Sequence, residues 1–331
     1  DEKGNTPLYY AALYCEDIWV FERLIDLGAD IHEKPVPDSI AKDIELVKLF
    51  LKHKAKFSLS ILERYCPYKS FELLIDSGVA DNATPEELDT IFYSYVYENQ
   101  NIFFGTSRFN DEDFYMYAEK LRSMGAKLNN PSPLMFFELS GWISEGEHIS
   151  RFDNRDKMIF QLLEWGASTD VRNHEGLSPF NIAAFYCDAH VVEKYLEHGA
   201  RPDDNCARIS AVSTGNVEVV ELLLIAGADP NILTGPLENE KKPRANILIS
   251  LGVSDMFDLN SDISLSALHV ACSIISYLDL HDKYAQPKIV RMLIKYGADV
   301  NARDPYGTVV RKMAKGIKVK NYLRKNGALK N

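Results

Sequence analysis

Cysteine and histidine are the side chains of this sequence best able to bind a metal or act as nucleophile or base, and their spacing argues against each role. The five cysteines are widely spaced and include no Cys-x-x-Cys pair. Structural zinc sites need clustered ligands, and disulfide frameworks need a high density of cysteines in a small chain. None of the eight histidines pairs with Cys or carboxylates at ligand spacing. Buried thiols in a reducing compartment are the simplest interpretation, and no metal or cofactor is expected.

The short motifs of common enzymes are also missing. The sequence has no phosphate loop, dinucleotide fingerprint, nucleophile elbow, zinc-protease helix or EF-hand loop. Glu145, Glu147 and His148 lie close together, but a charged stretch with Gly is more typical of a solvated loop than of a metal site. We therefore predict no catalytic residues and no enzyme.

Charge and hydropathy argue against two classes of partner. The 331 residues carry a formal net charge of −11, whereas nucleic-acid binders usually present a basic face to phosphates. No apolar run reaches the length of about 18 residues that a membrane span needs. A basic run near the end favours a solvated capping face over a binding site. It comprises Arg311, Lys312, Lys315, Lys318, Lys320, Arg324 and Lys325.

A recurring sequence motif, called a phrase below, predicts the helices on which the residues above lie. It is an apolar run followed by Gly and a small residue, often with Asp, as at 24–30 and 222–229. Adjacent copies are 24 to 47 residues apart. Short spacings indicate a trimmed helix, and long ones indicate insertions near 99–112, 140–156 and 254–264. The copies end at Gly28, Lys54, Gly78, Gly125, Gly166, Gly199, Gly227, Gly252, Gly297 and Gly327, of which Lys54 and Gly252 are the weak ones.

The chemistry of this phrase is that of an amphipathic helix with a sharp end. Gly adopts the positive φ that terminates a helix without a Cβ clash. In the copy at 217–224, valines and leucines form one broad apolar face, while Glu218 and Glu221 are expected to face water.

A second phrase precedes the best copies, at 4–12, 176–184 and 266–272. In the first of these, Thr6 can cap a helix whose first position is Pro7, where the missing N–H costs nothing. Ala11 and Ala12 are small enough to let two helices approach closely. Each repeat is therefore predicted to contain two helices.

Together the phrases resemble the ankyrin repeat, whose signature is Thr-Pro-Leu-His-x-Ala-Ala in the first helix and Leu-Leu-x-x-Gly-Ala-Asp in the second. The resemblance implies an all-α ankyrin-repeat solenoid of about ten stacked helix-turn-helix units with β-turn fingers. We expect one domain over 1–331. Within it we expect a good repeat at 1–34, degenerate repeats with insertions at 35–172, better repeats at 173–304 with an insertion near 232–264, and a capping repeat at 305–331.

Three polar residues in these repeats have two interpretations. His269 could act as a base, but in the family pattern this histidine hydrogen-bonds the turn backbone and ties neighbouring repeats together. Tyr9 and Asn181 take its place in the other good copies, which favours the structural role. Asn231 and Asn301 resemble asparagine-hydroxylation sites of eukaryotic ankyrin proteins, whereas the simpler interpretation is a turn-forming Asn.

The resemblance also implies a binding surface, since ankyrin proteins typically bind through their fingers and first helices on the concave side. Aromatic and aliphatic residues are frequent at these positions, which indicates either a contact surface or a surface that the insertions cover. The predicted contacts are Glu2, Lys3, Asn5, Leu13, Tyr14, His174, Glu175, Leu177, Phe185, Tyr186, Asp262, Ile263, Leu265 and Ile274. Phe103, Phe104 and Trp142, in the expected insertions, are secondary candidates, the alternative being local packing under a long loop.

The sequence thus predicts a cytoplasmic, monomeric scaffold or adaptor that binds another protein. Degenerate repeats with irregular insertions resemble those of bacterial and viral effectors, for which the compartment would be the host cytosol. The alternative is the recognition arm of a larger multidomain enzyme, because the chain opens within a repeat and a preceding segment is expected.

Overall fold

Capped helices and sharp glycine turns organise the described part of the chain. The first helices begin at Thr6, Ser178 and their equivalents, and the second helices end in a left-handed turn. The computed structural model describes residues 5–15, 17–32, 36–63, 66–98, 111–129, 134, 150–172, 177–202, 205–232, 265–273, 285–304, 307–314 and 316–329.

Contacts group the chain into two compact units, Asp1–Pro133 with His148–Arg155 and Leu134–Glu147 with Asp156–Asn331. The prediction of a single continuous domain stays a prediction. In the first unit the structure describes helices α1 (Pro7–Tyr14), α2 (Ile18–Asp26), a 3-10 helix (Asp38–Lys42), α3 (Ile44–Lys52), α4 (Ser60–Glu63), α5 (Tyr68–Asp76), α6 (Pro85–Glu98) and α7 (Asp111–Met124).

These helices form two layers. The first-helix layer contains α1, the 3-10 helix, α4 and α6, each in contact with the next. Helices α2, α3 and α5 likewise contact in order in the second-helix layer, where the Tyr117 hydroxyl of α7 donates to Asp76 of α5 at 2.9 Å. The 3-10 helix has five residues and α4 has four. These trimmed first helices account for the short spacings that precede Lys54 and Gly78.

A buried carboxylate completes the last turn of this unit. Asp89 accepts hydrogen bonds from the backbone N–H groups of Lys127 at 2.6 Å, Leu128 at 2.7 Å and Asn129 at 3.2 Å. Leu128 has φ of 60°, a left-handed conformation that strains a branched residue. Three charge-assisted hydrogen bonds stabilise that turn.

In the second unit, α8 (Ser150–Glu164, from Asp156 onward) precedes four helix pairs. Within this unit, helices α9, α11, α13 and α15 form a first-helix layer, and α10, α12, α14 and α16 form a second-helix layer. Their bounds are α9 (Pro179–Tyr186), α10 (Ala189–Glu197), α11 (Asn205–Thr214), α12 (Val217–Ile225), α13 (Ala267–Ser273), α14 (Ala285–Lys295), α15 (Val310–Met313) and α16 (Ile317–Lys325).

The terminal turns confirm the repeat markers. Nine of the ten marked residues have positive φ between 55° and 120°, including the weak copy at Lys54. The tenth, Gly252, lies outside the described residues. Helix α12 contacts α14, and α11 contacts α13. The helix pairs on either side of residues 233–264 are therefore direct neighbours.

The described elements confirm the predicted all-α architecture of paired helices. A projecting turn of the expected kind lies between α14 and α15, where Arg303 and Val309 form an isolated antiparallel bridge and Gly307 has φ of 75°. The aromatic residues Phe92, Tyr95 and Tyr117 are buried in the core of the first unit.

Candidate partner-binding surface

Helix α1 carries an open apolar stripe. The Thr6 side chain accepts a hydrogen bond from Tyr9 N at 3.1 Å, and Pro7 opens the helix, as predicted. Leu8 and Ala12 are buried against the rest of the unit. The opposite stripe consists of Tyr10, Leu13 and Tyr14, whose spacing of i, i+3 and i+4 places them side by side on the helix surface.

The stripe is exposed to solvent, and its aromatic rings contact one another. Tyr14 is 81% exposed, and Tyr10 and Leu13 are each 41% exposed. The rings of Tyr10 and Tyr14 stack with centroids 6.4 Å apart, and Tyr9 meets Tyr10 edge-on at 6.1 Å. Ordered aromatic rings offer large contact area with little rotamer entropy left to lose on binding.

Two predicted contacts in the other good copies need correction. Leu177 and Leu265 are buried, so each packs in the core and is not a solvent-facing contact. They precede the capping serines, where the chain enters the first helix. Phe185 and Asn5 are half-buried. The remaining predictions, together with the side chain of Tyr186, lie outside the described residues: Glu2, Lys3, His174, Glu175, Asp262, Ile263, Ile274, Phe103, Phe104 and Trp142.

Sequence reasoning also passed over exposed apolar residues. Trp19 in α2, Leu27 in the following turn and Ile225 in α12 are exposed. Each lies at a second-helix or turn position where polar residues are usual. The signal in the sequence was an apolar residue on the polar stripe of an amphipathic helix.

The polar residue at the fourth position of the first-helix phrase has a structural role. Ser178 Oγ accepts from Asn181 N at 3.2 Å, and Asn181 Oδ1 accepts from Ser178 N at 2.9 Å. Ser266 and His269 form the same reciprocal pair, at 3.4 and 3.3 Å. This is a capping box, which satisfies two helix N-terminal N–H groups.

His269 also reaches the next repeat. Burial lowers its pKa, while the charge of Asp304 and the backbone of Ala302 and Thr308 oppose that shift. The groups that act on His269 therefore lie in the following turn, as the family pattern implies.

Asn231 and Asn301 join successive repeats through both ends of their side-chain amides. Asn231 Nδ2 donates to Gly297 O at 2.9 Å, and its Oδ1 accepts from Asp299 N at 2.7 Å. Asn301 makes the equivalent contacts with Gly327 O at 3.3 Å and Leu329 N at 2.8 Å. Both asparagines lie in turns, and these bonds give each a structural role that links neighbouring repeats.

The described residues offer little for catalysis. They contain no group of three or more His, Cys, Asp or Glu side chains placed to hold a metal ion. Burial raises the pKa of Cys272 to about 12, so its thiol is not a nucleophile near neutral pH. A pocket beside Thr6, Tyr9 and Asp30 has a volume of about 20 Å³, room for a water molecule only. None of the described helices is long and apolar enough to cross a membrane.

Comparison with known proteins identifies the repeat. A family model of three ankyrin repeats matches residues 148–234, and a single ankyrin-repeat model matches 265–305. A human relative, "Ankyrin repeat and SOCS box protein 3", is 26% identical over 163 residues. That match covers 46% of this chain and 30% of the human protein.

Proposed function

We propose, on the premise that this chain is an ankyrin-repeat protein, that it is a scaffold or adaptor whose α1 stripe binds another protein. Ankyrin repeats generally mediate protein–protein interaction. The observation that carries the finer proposal is the exposed row of Tyr10, Leu13 and Tyr14 on a first helix, the element through which ankyrin proteins typically bind.

The composition of the stripe suits an interface core. Tyrosine is enriched among residues that dominate binding energy, and such residues cluster where water is excluded. The stacked pair Tyr10 and Tyr14 provides two neighbouring rings, and Leu13 fills the space beside them. A partner with a matching apolar groove would bury all three, as in helix-in-groove recognition.

We propose that the chain acts without catalysis, as a monomer in the cytoplasm or, for an effector, in the host cytosol. The absence of catalytic motifs from its sequence supports a role without catalysis. The net charge of −11 supports a partner other than nucleic acid. The widely spaced, unclustered cysteines support a reducing compartment.

A second candidate is the recognition arm of a larger multidomain enzyme. A further domain is favoured by the human relative, of which the match covers 30% and whose name joins ankyrin repeats to a SOCS box. Reading the complete gene tests this candidate. A coding region that adds no further domain would exclude it.

The decisive experiment compares two variants of the full chain in quantitative affinity capture. One replaces Tyr10, Leu13 and Tyr14 with Ala, and the control replaces Trp19 and Leu27, exposed apolar residues outside the first helix. Proteins that the wild type and the control retain should be lost from the stripe variant. For a purified captured partner, we expect Kd to rise about 30-fold or more, as hot-spot truncation does.

Circular dichroism of each variant checks that the helices persist. If the folded stripe variant retains the same proteins with unchanged Kd, the stripe is not the binding surface. If the Trp19/Leu27 control loses them instead, the surface belongs to the second-helix layer.

A further inference from the structure

Each complete second helix of the second unit presents three residues to solvent at fixed distances before its terminal glycine. They lie nine, six and two residues before Gly199, Gly227, Gly297 and Gly327. All are exposed: His190, Glu193 and Glu197 in α10, Glu218, Glu221 and Ile225 in α12, Lys288, Arg291 and Lys295 in α14, and Lys318, Asn321 and Lys325 in α16.

The charge at these positions reverses between α12 and α14. Helices α10 and α12 place four carboxylates there, whereas α14 and α16 place five cations. Neither α14 nor α16 contains an Asp or Glu. Like charges three or four residues apart on a helix repel one another, and a bound anionic group would relieve that repulsion.

The reversal reflects a wider segregation of charge. Residues 285–331 contain 12 Lys and Arg but 2 Asp and Glu, a net charge of +10. Because the whole chain carries −11, residues 1–284 carry −21. A solvated capping surface requires polar residues, but it does not require nearly all of its charges to have the same sign.

The cations of the two helices form one surface. Helices α14 and α16 are in contact, and the Arg291 guanidinium lies 5.7 Å from the centroid of the Tyr322 ring. Apolar side chains flank the surface, since Ile317 is 75% exposed and Leu329 is also exposed. We name as the basic face the exposed residues Lys288, Arg291, Lys295, Lys318, Lys320, Arg324 and Lys325.

We propose that the basic face binds a short acidic segment of a partner protein. Two neighbouring helices of this length give a surface of about 16 by 20 Å, which an extended segment of about six residues spans. Carboxylates would pair with the cations, and an apolar residue of the segment would contact Ile317. This second binding surface goes beyond the α1 stripe and does not depend on it.

The neighbouring surface favours a short segment over a long polyanion. Glu218 and Glu221 of α12 lie beside the basic face, because α12 packs directly against α14. A nucleic acid or an anionic membrane would extend its charge over these carboxylates and meet repulsion there. A peptide that ends at the edge of the basic face avoids that repulsion.

The test is fluorescence anisotropy with a labelled peptide of about ten residues, containing Asp and Glu around one Leu, titrated with the full chain. The face variant carries Lys295→Glu, Lys318→Glu and Lys325→Glu. The control carries Lys52→Glu, Lys56→Glu and Lys69→Glu, exposed lysines of the first unit with the same change in net charge. We expect Kd to rise about tenfold or more in the face variant and to stay within about twofold in the control.

Salt and the stripe variant complete the design. The wild-type affinity should fall with added salt more steeply than that of the face variant. The variant with Tyr10, Leu13 and Tyr14 replaced by Ala should bind the peptide as the wild type does, so failure of one surface leaves the other testable.

Three outcomes would overturn the proposal. The first is equal peptide affinity in the wild type and the face variant, with circular dichroism showing both folded. In the second, a single-stranded oligonucleotide or a phosphatidylcholine–phosphatidylserine vesicle binds more tightly than the peptide and is lost in the face variant. In the third, sedimentation shows self-association that the face variant abolishes, which would assign the face to a second copy of this chain.

Discussion

Helices α1 and α9 share a local sequence pattern but have different surroundings. Both begin with a capping hydroxyl and Pro, and both contain an Ala-Ala pair. Yet Tyr10 is 41% exposed, whereas Ile182, its equivalent in α9, is 1% exposed. The third copy agrees with the second, since Val270 at this position is 2% exposed.

The neighbouring first helices differ among these three places. Helix α9 packs against α11, which has ten residues, and α13 packs against both α11 and α15. Helix α1 packs against a 3-10 helix of five residues. The exposure of Tyr10 therefore follows from the helices packed beside α1 and not from its own local pattern.

The largest expected effect tests burial at the equivalent position. Ile182→Ala should lower the free energy of unfolding by about 2–5 kcal/mol, because it leaves a cavity in the core. Tyr10→Ala should change it by less than about 0.5 kcal/mol, as surface substitutions do. Urea denaturation followed by circular dichroism measures both. A comparable loss for Tyr10→Ala would mean that α1 is covered in solution.

A smaller effect is expected at the caps. Ser178 and Asn181 exchange two buried hydrogen bonds, whereas Thr6 accepts one at a half-buried site. Ser178→Ala should therefore cost about 1–2 kcal/mol and Thr6→Ala about 0.5–1 kcal/mol in the same urea experiment. Ser178→Thr, which keeps the hydroxyl, serves as the control. Equal costs at the two caps would contradict the importance of the reciprocal bond.

The smallest effect is a difference in pH dependence between Asn181 and His269, which occupy the same position in two separate capping boxes. Burial lowers the pKa of folded His269, so the unfolded chain binds a proton first as the pH falls through about 6.5. Stability should consequently decrease over that range. His269→Asn copies the second repeat and should weaken this dependence, as measured by urea midpoints between about pH 7 and pH 5. Identical pH profiles for the wild type and the variant would show that His269 does not carry the linkage.

Much of the fold could be predicted because its signals are local. A Gly after an apolar helical run, and a hydroxyl before Pro, act within a few residues of themselves. Contacts between distant segments could not be predicted in this way. Nothing near Asp89 indicates that it caps a turn at 127–129, and nothing near Leu177 or Leu265 indicates that the fold buries them.

By itself the sequence determined where helices start and stop, that they pair as ankyrin repeats, and that charge changes sign toward the end of the chain. Only the tertiary structure decided which helix faces are exposed to solvent, because exposure depends on the helices packed against each face. It is also what brought the cations of α14 and α16 onto one surface. The position of a residue within its repeat follows from the residues near it in the sequence, whereas its exposure depends on the helices packed around it.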